Sequence, residues 1–193
     1  MILRLQILIL FLNFYQCLFS QDGSVRVRIF AGGTLDFVFN SISDYKVGIT
    51  YLNYTVIGVE ATEGVPTNRT AWTLEVSADD ADADGFLTGT DPANTLPFSS
   101  IEVQATSISS CVPVPCPINL FGSPWVPLAV LPTIIADGNA AGGADDIVPG
   151  ISELAYTTDQ INISYRAGFT TSLLGEQGDF YADEINFDIF IFP

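Results

Sequence analysis

The stretch Tyr181-Ala-Asp-Glu-Ile185-Asn-Phe187-Asp-Ile189-Phe-Ile191-Phe192 alternates with a period of two. Tyr181, Ile185, Phe187, Ile189 and Ile191 fall on one side, interrupted only by Asp183, while Glu184, Asn186 and Asp188 fall on the other. Successive side chains of an extended strand point to opposite faces, so the pattern predicts a strand with one buried face. It recurs upstream. Over residues 24–30, Val25, Val27 and Ile29 alternate with Arg26 and Arg28. Beyond Ala31-Gly32-Gly33, Leu35, Phe37 and Phe39 do the same over residues 34–39. Residues 47–59 concentrate β-branched and aromatic side chains (Ile49, Tyr51, Tyr54, Val56, Ile57), and Gly58 marks a bulge or a close approach. Residues 70–78, 101–105 and 160–165 complete the clear strands, and no window of comparable length holds a helical period. Strands parted by turn residues predict an all-β chain folded as a single antiparallel β-sandwich, Ig-like or pilin-like.

Two segments break the rule. Residues 113–132 carry six prolines around Leu120, Phe121, Trp125, Leu128, Val130 and Leu131, which predicts a sheet edge or a covering connection. Residues 136–150 are small and acidic and predict an exposed, mobile loop. No repeat and no linker divides the chain.

The 193 residues contain 22 Asp plus Glu, 6 Lys plus Arg and no histidine, a formal charge of −16. Without an imidazole there is no Ser-His-Asp triad and no His-containing zinc site. The acidity removes the basic footprint that nucleic acid or an anionic membrane surface requires. Residues 1–20 read as a signal peptide: Arg4 supplies the positive start, and 5–12 form an apolar run too short to span a bilayer. Gln16 stands before Cys17 where a lipoprotein signal has a small residue. Cleavage leaves residues 21–193 as a single β-sandwich domain with five basic residues, a charge of −17 and only Cys111 and Cys116. In an oxidising compartment that pair predicts a disulfide across Cys111-Val-Pro-Val-Pro-Cys116.

Asp80-Ala-Asp82-Ala-Asp84-Gly85 sets three carboxylates at alternate positions before a glycine. Counted from Asp80, the spacing follows a twelve-residue calcium loop: the Phe86 carbonyl at seven, Leu87 as the apolar eighth and Asp91 at twelve. Oxygen ligands without histidine or thiolate favour Ca2+. The flanks read as strand and loop rather than two helices, and the alternative is a solvated acidic hairpin loop.

Trp72-Thr73-Leu74 lies in an alternating strand that runs into this loop, and the chain closes on the aromatic strand already described. A Trp-x-Leu strand early and a Tyr-led strand late resemble WxL-type surface domains and, more loosely, pilin-like and spore-coat-like sandwiches. The layout of residues 33–192 is similar to that of secreted surface proteins of Bacteroidetes. The resemblance implies a β-sandwich and peptidoglycan binding. In place of a second Trp-x-Leu the chain has Phe187-Asp188-Ile189. Read from its alternation with Leu74 and Val76, Trp72 is a core residue.

These features predict a non-enzymatic, secreted or cell-surface structural or adhesion module, in a filament or adhesin assembly, stabilised by calcium and a disulfide. Its partners are other surface or filament proteins, or a glycan; it spans no membrane. The alternative is a carbohydrate-binding module with Trp125, Tyr156 or Tyr165 as a stacking platform. A hydrolase would need two carboxylates facing across a cleft, and no spacing here places them so. Asn53, Asn68 and Asn162 each begin a glycosylation sequon. Residues 24–30, first after the leader, pair within their own sheet or with a neighbour's edge.

Overall fold

The computed structural model describes residues 24–62, 71–80, 84–110, 120, 125–137, 160–176 and 178–192. Residues 1–20, read above as a signal peptide, and Cys111, Cys116, Asp82, Asn68 and Tyr156 lie outside them. Among the described residues ten strands form, β1 (Ser24–Ala31), β2 (Ile49–Thr62), β3 (Ala71–Ala78), β4 (Phe86–Thr88), β5 (Thr95–Pro97), β6 (Ile101–Ser110), β7 (Val126–Pro127), β8 (Thr133–Asp137), β9 (Gln160–Ala167) and β10 (Ile185–Phe192), with one short α-helix, α1 (Ile42–Val47). All the pairings are antiparallel. A five-stranded sheet runs β1-β2-β9-β6-β7, a three-stranded sheet runs β10-β3-β8, and β4 and β5 form a hairpin.

The period-two pattern sets the registers. Phe187 and Ile189 stand opposite Val76 and Leu74, so these apolar side chains of β10 and β3 share a face. In β9 the inward set is Ile161, Ile163 and Tyr165, and in β2 it is Ile57 and Val59. Both sheets and the hairpin feed one buried cluster, in which Trp72 is fully enclosed. Trp72 is therefore the core residue its alternation predicts.

Several expectations fail for local reasons. Residues 34–39 form no ladder. Their alternation still holds, because Leu35, Phe37 and Phe39 pack against the core. Tyrosine hydroxyls hold the segment in place of a neighbouring strand: Tyr54 Oη donates to the Thr34 carbonyl at 2.7 Å and Tyr51 Oη to that of Asp36 at 3.1 Å. Helix α1 is too short to register as a period, yet it has a capping box. Asp44 N–H donates to Ser41 Oγ at 3.2 Å, and Ser41 N–H donates to Asp44 Oδ2 at 2.9 Å.

The bulge in β2 falls between Tyr51 and Thr55, where Asn53 has φ +52°, and not at Gly58, which pairs regularly with Arg28 and Gln160. The proline-rich segment does supply an edge, β7, beside β6. The loop expected from residue 136 onward is corrected at its start: Ala136 is fully buried in β8 opposite Leu74. The strand β1 pairs with β2 of its own chain, from Ser24 opposite Thr62 to Ala31 opposite Val56.

Candidate functional site

The acidic loop is built on the exit from β3. Both oxygens of Asp80 accept backbone N–H groups, from Asp84 at 3.2 Å and Gly85 at 2.8 Å, and Asp84 Oδ1 accepts from Phe86 N–H at 2.8 Å. Gly85, the sixth position of the counted loop, has φ +84°, a conformation that a side chain would strain. Leu87, the eighth, is buried. Opposite Phe86 stands Pro97, which has no N–H to offer the Phe86 carbonyl. Asp80, Asp84 and Phe86 are thus brought together at one turn. Asp91 follows β4 in the hairpin turn, where its Oδ1 accepts from Ala93 N–H at 3.0 Å. Among the described residues no three acidic or sulfur-bearing side chains gather as a metal group.

A second strand of chain laces this loop down. Asp79 N–H donates to the Glu184 carbonyl at 2.9 Å, Thr90 N–H to that of Phe180 at 3.1 Å, and Gly89 forms a bridge with Tyr181. Asp179 is the knot. Its Oδ2 accepts from Asp91 N–H and Asn94 Nδ2, both at 3.0 Å, and its Oδ1 from Phe180 N–H at 2.7 Å. The Asn94 amide and those backbone donors favour the charged form and hold the Asp179 carboxyl down at about 2. A Cβ at position 89 would press on the Asp179 carboxylate and displace it.

A polar cluster of another kind lies on the outer face of the five-stranded sheet. Glu102 on β6 is 2% exposed and stands opposite Arg166 on β9. Arg166 donates from Nε and Nη2 to the two Glu102 oxygens, each at 2.8 Å. Its guanidinium lies between the rings of Trp125 and Phe169, 4.7 Å from each centroid. Burial by itself would raise the Glu102 carboxyl; hydrogen bonds from Arg166 and Thr170, with the guanidinium charge, hold it below the usual carboxylate range.

Of the three aromatic side chains read as a stacking platform, Tyr165 is corrected. It is 3% exposed, and its hydroxyl donates to Thr55 Oγ1 at 2.9 Å. Burial pushes it up to about 12. An aromatic at that odd position of β9 faces the core with Ile161 and Ile163. Trp125 is half-buried against Arg166, and Phe169, which no motif singled out, is 43% exposed beside it. The sequence carried one signal for this cluster: Arg166 and Glu102 both fall on the polar side of alternating strands. Asp179 had none, because Asp91 and Asn94, the partners it ties down, lie more than 80 residues away.

No protein-family model matches the chain, and no curated protein matches it in sequence. Among the described residues no helix is long and apolar enough to cross a membrane.

Proposed function

We propose that this chain is a non-enzymatic, exported structural or adhesion module, a β-sandwich whose loops are stiffened by calcium and by a Cys111–Cys116 disulfide. The observation that supports it best is the construction of the loop end. Asp80, Asp84, Asp91 and Asp179 each accept backbone N–H groups that fix the shape of segments almost devoid of ladder. Carboxylates engaged in this way serve rigidity, as suits a surface held out to a partner. Two sheets sharing one apolar core supply the frame. The apolar run before Gln21 supplies export, and the Trp-x-Leu strand supplies the resemblance to WxL-type surface domains. Calcium would be held by Asp80, Asp82, Asp84 and the Phe86 carbonyl, with Asp91 in the adjoining turn.

The test is thermal unfolding of the secreted protein. Extracellular sites of this type bind at about 0.1–1 mM, so Tm is expected to rise across millimolar calcium by mass action and to stop responding in Asp82→Ala. An equal response to magnesium, or none, defeats the calcium part. The intact mass of the same material, two hydrogens light before reduction, reports the disulfide.

One observation favours a second reading. Phe169 and Trp125 flank a guanidinium at the surface, an arrangement suited to a sugar ring with polar substituents. Glycan-array binding abolished by Trp125→Ala would support a carbohydrate-binding module; an empty array would retire it.

A further inference from the structure

The two sheets terminate in edge strands of opposite charge. β1 ends the five-stranded sheet and β10 the three-stranded one, and among the described residues neither has a strand hydrogen-bonded to its outer side. Each is eight residues long. On its exposed face β1 carries Arg26 and Arg28, in a chain with 6 basic residues altogether. The Arg26 side chain is 69% exposed, although Glu60 lies 3.9 Å from its Nε. On its own exposed face β10 carries Asn186 and Asp188, with Glu184 just before it. The inward faces are apolar and only partly covered: Val27 on β1, and Ile185, Phe187 and Ile189 on β10.

These edges lie on the same side of the molecule, since β1 and β10 approach one another without forming a ladder. They also run in opposite directions. β1 is antiparallel to β2, β2 to β9 and β9 to β6. Leu128 N–H to the Ile101 carbonyl and Ala78 N–H to the Ala129 carbonyl then tie the start of β6 to the end of β3, from which β10 runs back. β1 therefore ends where β10 begins.

We propose that two copies of this chain associate through these edges about a two-fold axis parallel to the strands, β1 of each continuing as an antiparallel ladder into β10 of the other. Such an axis preserves strand direction, so the two strands meet in the antiparallel sense, and it forms both ladders at once, which closes the assembly. It sets Arg26 and Arg28 on the same face as Asp188 of the second copy. It also brings Val27 beside Phe187 and Ile189 of that copy, covering apolar surface that one chain leaves half-open. A second copy is the occupant because equal length, opposite charge and matched inner faces are all present in the chain itself. The net charge of the chain opposes approach at long range, and physiological salt screens most of that repulsion. The proposal deepens the reading of the chain as an assembling surface module and rests on it.

Charged edge residues can instead guard a strand against pairing, and the experiment separates the two roles. Sedimentation velocity on the secreted, processed chain at physiological salt, with circular dichroism to verify folding, is expected to show a dimer. R26E/R28E places like charges across both ladders and is expected to weaken association by at least about tenfold. D188R, which leaves β1 untouched, is expected to do the same, and R26E/R28E/D188R to recover part of the loss. A rise in association for R26S/R28S identifies the arginines as guards and overturns the proposal. A dimer indifferent to all of these changes overturns edge pairing but leaves the assembling module standing. A chain that stays monomeric overturns edge pairing too; if it also fails to bind a cell surface, the reading beneath it falls as well.

Discussion

The Glu102–Arg166 pair illustrates how much can depend on one guanidinium. A carboxylate that is 2% exposed is tolerated because two parallel hydrogen bonds reach it, and because Trp125 and Phe169 hold the donor flat. Arg166→Met would keep most of the packing while leaving the carboxylate unpaired, at a cost of about 3–5 kcal/mol in urea unfolding. Glu102→Gln, which removes the charge as well, should cost clearly less; equal losses would show that packing alone matters. A second prediction concerns pH. Asp179, with a folded value of about 2, lies below its ordinary range, so its contribution is complete above about pH 4 and disappears as pH falls toward 2. Tyr165, pushed up to about 12, resists ionisation in the fold, so its contribution holds below about pH 10 and is lost as pH rises toward 12. Asp179→Asn should flatten the acid limb of a stability profile, and Tyr165→Phe the alkaline limb.

At the scale of elements, the part legible in the sequence is the part that depends on a strand's own two faces. β1, β3, β9 and β10 are visible because Val27, Trp72, Ile163 and Phe187 recur every second residue against a polar opposite face. What a neighbour decides is not visible. Residues 34–39 have the pattern of a strand but, among the described residues, pair with none, and β8 has a partner, β3, although its sequence follows a proline-rich run. The bulge at Asn53 is of the same kind, since what accommodates it comes from other strands. Asn53 N–H donates to Ser164 Oγ at 2.8 Å, and Thr106 Oγ1 meets Asn53 Oδ1 at 2.7 Å and Ser164 Oγ at 3.0 Å. Ser164 is completely buried, so Ser164→Ala removes the acceptor of that amide and should cost about 1–3 kcal/mol. Hydrogen exchange at the Asn53 amide should accelerate beyond the global change; unaltered protection would mean that another acceptor replaces the hydroxyl.

For the molecule as a whole, the acidic loop was readable as a spacing, whereas its attachment to Asp179 was not, because that contact exists only once the chain has come back on itself. The sheet order carries a consequence in time. β10 is the outer companion of β3, and Ile185 stands opposite Ala78, so the smaller sheet waits for residues more than 100 positions downstream. A ribosome would release β3 long before β10, and pairings this remote form slowly. Until the late segment arrives, the inner face of β3 lacks one neighbour and the core that includes Trp72 is incomplete. The smaller sheet is therefore complete only when the last strand of the chain has been made. Chains truncated ahead of Ile185 should therefore lack cooperative unfolding and be cleared by proteases, while supplying residues 181–192 as a separate peptide should restore part of the fold. Closure of the core is thereby deferred to the last strand of the chain.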